Sequence, residues 1–241
     1  MATVVLRAEV PVEGDALVEL AAETPLTEAE AAALYRRALG DVAETVESSG
    51  AGLLVTYPGD SEGQLRDAVE PALGDPDAAR FEPQVGSTSA ARLGNTVTHL
   101  LDEEDETSVG VLDPTAVLVD RSTIDQAAMT LRRHDVVVGP ATAGGIYYAG
   151  FTDTIDFTGV DRQPMVETVV EAATEAGLSA DVRAPMPTLA TPMDLHSTLP
   201  ILRARRQAGL VVPERTSDYL DELGLRTVEA EQKDGIAIVR E

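Results

Sequence analysis

The chain has 241 residues, a length that suits one α/β domain with a small appendage, and its 44% hydrophobic content is enough to build a core. Without cysteine it excludes disulfides, thiolate catalysis and Cys-ligated zinc, and without a long apolar run it excludes a helical membrane span. Forty-two acidic residues against 18 basic ones give a formal charge of −24, which leaves no basic patch for nucleic acid.

Thr3–Leu6 reads as a first strand. Thr27 with Glu30 forms a capping box, and Ala33, Leu34, Ala38 and Val42 follow at helical spacing. Gly50 and Gly52 end that helix. Leu53–Tyr57 is a second strand, closed by Pro58-Gly59-Asp60. Helices are expected over Ser61–Leu73 and Ser87–Leu101, with a short strand at Arg80-Phe81 between them and an acidic loop at Asp102–Glu106. Val109–Leu112 is a strand, and Ser122–Arg133 is helical. Helices follow at Gln163–Ala176 and Met193–Ala208, with a strand at Leu178–Arg183 between them. Thr227–Glu241 carries two strand-like runs with a hairpin tip at Lys233-Asp234-Gly235.

Strands alternating with helices predict a mostly parallel sheet covered on both faces. Ligands of such sheets sit outside the carboxyl ends of the strands. Here those places follow Leu6, Tyr57, Leu112 and Val138.

The acids are spread along the chain rather than gathered in one block, and Lys233 is its one lysine. Such a surface repels itself unless salt screens it. The expectation is a cytoplasmic protein of an extreme halophile, its acidity an adaptation to solvent. The N-terminus MATVVLRAEV lacks the basic and apolar regions of a signal peptide.

The segment His134–Phe151, HDVVVGPATAGGIYYAGF, joins two buried-type strands through Gly144-Gly145. It resembles the "HDVVLGPAxDGGYYLIG" passage of glycosyltransferase-like proteins of the DUF2064 type, in the nucleotide-diphospho-sugar transferase superfamily. Three further segments agree in order. AAALYRRALGDV is similar to "AAxLYRAFLxD". Pro83–Gly86 through Arg92-Leu93-Gly94 is similar to "PQGxGDLGxRM", and Thr191–Leu195 is similar to the end of "DVDTPEDL". The resemblance covers about the first two hundred residues. It implies a glycosyltransferase-A-like fold, a three-layer α/β sandwich, over residues 1–212. Residues 213–241 would form a C-terminal helix and β-hairpin extension, which is a candidate homodimer contact.

The resemblance also exposes departures. The family loop "PVPGRVKTRL" presents cations to nucleotide phosphates, whereas this chain reads PVEGDALVEL over Pro11–Leu20. Gly14 is kept, but the cation positions are Asp15, Leu17 and Glu19. The aspartate of "DGG" is Ala143, and "DVD" is Thr188-Leu189-Ala190. The metal-holding aspartate of "GSDCPDL" is best matched by Asp113, with Asp120 second. The implied cofactor is Mg²⁺ or Mn²⁺ at Asp113 or Asp120, and the implied ligand is a nucleotide-sugar or nucleotide bordered by Gly14, Gly144 and Gly145.

Each candidate also has a structural explanation. Asp113-Pro114 can start a turn. Asp120 stands where a helix cap belongs. Glycines allow tight strand packing as well as ligand approach. Of Tyr147 and Tyr148, alternation lets at most one face a site. Ser87, Thr88 and Ser89 read as caps. Three functions remain open: sugar transfer from a nucleotide-sugar to a small acceptor, a non-catalytic binding or scaffold protein on the same fold, and nucleotidyl transfer.

Overall fold

The computed structural model describes residues 2–229 and 235–241. Seven strands form one sheet: β1 (Ala2–Arg7), β2 (Gly52–Tyr57), β3 (Arg80–Pro83), β4 (Ser108–Leu112), β5 (Val136–Pro140), β6 (Ile146–Phe151) and β7 (Ala180–Val182). Their order is β3-β2-β1-β4-β6-β5-β7, parallel except for β6, which runs antiparallel to both its neighbours. The glycine-joined segment is therefore a hairpin, with an irregularity at Gly139/Pro140.

The helices are α1 (Val18–Glu23), α2 (Glu28–Ser49), α3 (Glu62–Val69), α4 (Ser89–Thr98), α5 (Arg121–Thr130), α6 (Met165–Glu175), α7 (Pro192–Gln207) and α8 (Glu214–Glu222). Alternation sorts the central strands onto two cores. Val4, Leu6, Leu53 and Val55 join one core with Leu34 of α2, Leu65 of α3, Ile124 of α5 and Leu199 of α7. Val5, Leu54, Val138 and Phe151 join the other with Val97 of α4 and Val169 of α6. Burial on both faces explains the near-continuous apolar runs of β1, β2 and β5. No helix among the described residues is long and apolar enough to cross a membrane.

The chain leaves β1 through α2 on one face and reaches β2. It enters β4, on the other side of β1, from α4 on the opposite face. The two connections diverge between the carboxyl ends of β1 and β4, and this opens a crevice at that point.

Two elements differ from the sequence reading. The helix expected to reach Leu101 leaves α geometry at Thr98 and continues as a π turn over His99–Glu103, which takes in part of the acidic loop. α1 carries no side-chain cap signal, because its N-cap is Leu17 with a left-handed backbone, φ 51°.

At the C-terminus β8 (Leu225–Glu229) pairs antiparallel with β9 (Ile236–Arg240). Of the expected tip, Lys233 and Asp234 lie outside the described residues. Leu220 and Leu225 are buried in the same core as α2. The N-terminus of α8 is held by the buried Asp41 of α2, whose carboxylate accepts from the Thr216 N–H at 2.8 Å and from Arg215 Nη1 at 3.1 Å.

Candidate functional site

A cleft of about 550 Å³ opens at the β1/β4 crevice. Its charged lining comes from several strand ends. Arg7 ends β1 and Glu9 follows it, Asp113 follows β4, Asp15 and Glu19 come from the α1 region, and Asp161 and Asp194 precede or open α6 and α7. A second wall, built by Leu93, Ala149, Phe151, Phe157, Val160 and Val169, is apolar. The cleft thus pairs a strongly acidic side with a surface suited to a ring or other apolar group.

Asp113 sits where β4 ends. Its N–H still donates to the Tyr147 carbonyl at 2.9 Å, so its backbone is an extension of the sheet. Its Oδ1 accepts from the Thr115 N–H at 2.7 Å and from the Thr115 hydroxyl at 2.6 Å. This is an Asx turn, and it fixes the side chain at the cleft floor. The turn reading therefore holds, and the same residue lines the cleft. Burial pushes the Asp113 carboxyl above its ordinary range. The Thr115 bonds and Arg7 work against that rise, and Asp194 adds to it. Glu9 is raised as well, first by desolvation and then by Asp113 and Asp15.

Asp194 is committed elsewhere. Its Oδ2 accepts from the Thr191 N–H and hydroxyl, and its Oδ1 accepts from the Thr188 N–H. These contacts complete the capping box of α7.

The other candidates separate. Asp120 is not in the cleft lining; it caps α5, with Oδ1 accepting from the Thr123 N–H at 2.8 Å and the Ser122 hydroxyl at 3.0 Å. Gly145 lines the cleft. Gly144 lies outside the lining, with φ +80° in a short turn that approaches Pro164. Gly14 also lies outside it, in a turn with φ +84° beside the lining residue Asp15.

Neither tyrosine lines the cleft, within the expectation that at most one would. Both are buried, with the Tyr147 ring over Gly139 and the Tyr148 ring over Gly110, where a Cβ would collide. Thr88 caps α4, as read from sequence. His99 lies 3.2 Å from both Glu103 and Glu104, away from the cleft.

The donor set tests the implied Mg²⁺ or Mn²⁺. Such ions want several hard oxygens in octahedral order. Among the described residues no group of three or more Asp, Glu or His side chains is placed to hold a metal ion. Asp113 has one oxygen tied to Thr115, and both oxygens of Asp194 are used by its own turn. These residues do not fit a metal centre built by the protein.

Arg7 was missed by sequence reasoning. It follows three apolar residues and reads as an ordinary strand end. The signal available was its position, since the place after Leu6 is one of the four where a ligand is expected.

A family model described as "Uncharacterized protein conserved in bacteria (DUF2064)" matches residues 41–162, half of the chain. That span contains Asp113, Gly145 and Asp161. No curated protein matches by sequence. Among solved structures the chain is similar to a provisionally assigned nucleotide-diphospho-sugar transferase of Desulfovibrio desulfuricans. The TM-score is 0.76 at 21% identity, over 92% of this chain and 94% of that one. It is also similar to 4-diphosphocytidyl-2C-methyl-D-erythritol synthase of Anaerococcus prevotii. There the TM-score is 0.52 at 11% identity, over 84% of this chain and 96% of that one. At these identities the likeness establishes a shared fold, the nucleotide-diphospho-sugar transferase type.

Proposed function

The chain belongs to the DUF2064 family, and from that premise we propose that its cleft binds a nucleotide-sugar and passes the sugar to a small acceptor. The observation that carries this reading is the position of the cleft, at the β1/β4 switch point with Asp113 on its floor. Its volume of about 550 Å³ suits a ligand of that size. The apolar wall offers a surface for a ring, and the polar side offers carboxylates to sugar hydroxyls.

In the transfer step an acceptor oxygen bonds to the anomeric carbon while the bond from that carbon to the diphosphate breaks. The nucleoside diphosphate leaves, and the acceptor proton passes to a base. Asp113 is our assignment for that base. Its raised affinity for protons suits the role, and the Thr115 contacts fix its orientation. No step is assigned to a metal.

A second reading is a binding protein without turnover. It is favoured by Leu17 and Glu19, which line the cleft without adding positive charge, and by the commitment of Asp194 to its turn.

The test is turnover across a panel of nucleotide-sugars at molar salt, with Mg²⁺ or Mn²⁺ supplied. Release of nucleoside diphosphate supports sugar transfer, and release of pyrophosphate from a nucleoside triphosphate supports nucleotidyl transfer instead. Saturable binding without either product supports the second reading. No binding by any member of the panel overturns both.

A further inference from the structure

We propose that Arg7 is the anion receptor of the cleft and takes the phosphate groups of the ligand; this rests on the nucleotide reading above. Of the charged residues that line the cleft, six are acids and Arg7 is the only cation. An arginine set among so many carboxylates would ordinarily be ion-paired. Among the described residues, however, no carboxylate oxygen lies within 4.0 Å of its side-chain nitrogens. The single hydrogen bond it donates runs from Nη1 to the Ser89 carbonyl at 3.2 Å. That contact steers the guanidinium from the end of β1 toward the start of α4, and leaves the rest of its donor fork unused.

The surrounding acids Asp113, Glu9 and Asp161 sustain the charge from a distance without occupying the fork. Burial, and after it the neighbouring Arg92, act the other way and push Arg7 below the ordinary arginine range, so the site carries a desolvation cost that a bound anion would offset. A planar guanidinium with free donors matches the paired oxygens of a phosphate or diphosphate. The remaining acids then disfavour any anion that does not engage Arg7.

The test is calorimetric titration of the full chain and its Arg7→Gln and Arg7→Lys variants at molar KCl. The probes are UDP, GDP, the two parent nucleosides and inorganic pyrophosphate. Thermal melts establish that the variants fold. We expect Arg7→Gln to weaken the nucleoside diphosphates by about tenfold or more and to leave the nucleosides unchanged, with Arg7→Lys between. Pyrophosphate binding that is lost in Arg7→Gln shows that the receptor reads phosphate without the nucleoside. Diphosphate binding by Arg7→Gln as tight as wild type overturns the assignment.

A second measurement separates this claim from the nucleotide reading. If wild type binds no nucleotide, or if Arg7→Gln fails to fold, the Nε–H resonance of Arg7 is followed in wild type during pyrophosphate addition. A saturable shift keeps the anion receptor even where the nucleotide reading has failed. An unmoved resonance overturns it.

Discussion

Asp113 holds a turn and, in the reaction proposed above, serves as the base, so its protonation bears on both. A carboxyl raised in the folded state stabilises the fold fully below its unfolded value. That contribution is lost as pH rises through the raised one. Asp113→Asn should therefore melt higher than wild type at neutral pH, by a few degrees. The advantage should vanish below about pH 4, where the unfolded carboxyl also protonates. Oδ1 of the asparagine can still accept from Thr115, so the turn survives, and thermal melts across pH check the outcome. Leu17 gives a second prediction. It lines the cleft, and Leu17→Lys adds a cation there, so nucleoside diphosphate affinity should rise about tenfold by calorimetry. Of the residues singled out in the sequence, Asp113 and Gly145 line the cleft. Asp120 and Gly144 do not, because a residue type that suits a ligand also suits a cap or a turn. Arg7 was hidden, since its meaning comes from the acids that the fold gathers around it.

Elements with strong local signals were read close to their true bounds. The capping box of Thr27 and Glu30 starts α2 as expected, and Thr27→Ala should cost about 1 kcal/mol in chemical denaturation. Glu30 also reaches across the molecule. Its carboxylate pairs with Arg240 of β9 at 2.7 Å, and this contact, with the Thr27 bonds, holds its pKa at about 2. A depressed carboxylate stabilises the fold above its unfolded value, and that contribution is lost as pH falls toward 2. Glu30→Gln should thus lower the melting temperature at neutral pH, with the difference shrinking as the solution is acidified. α1 was illegible for the opposite reason. It has six residues and no capping side chain, and tertiary packing of Leu20 holds it in place. The tie of α8 to Asp41 was equally invisible, because it joins positions 175 residues apart. Asp41→Ala leaves the buried Thr216 N–H without its acceptor and should cost about 2–3 kcal/mol by denaturant titration.

At the scale of the whole molecule, a formal charge of −24 acts on the folded state through repulsion among surface carboxylates. Salt shortens that repulsion, the screening length falling to about 3 Å at 1 M. The melting temperature should rise steeply from low salt and level off near molar KCl. An insensitive melting temperature would remove salt adaptation as the account of the acidity. The same fold sets that acidic surface around a cleft whose charged lining includes a single cation, so the central claim is that this cleft still takes a nucleotide. The most direct measurement is a crystal structure of the protein soaked with a nucleoside diphosphate and Mn²⁺ at high salt. The account predicts density for the diphosphate between Arg7 and Asp113, with the nucleoside along the apolar wall. An empty cleft at saturating nucleotide, or nucleotide bound elsewhere, would contradict it.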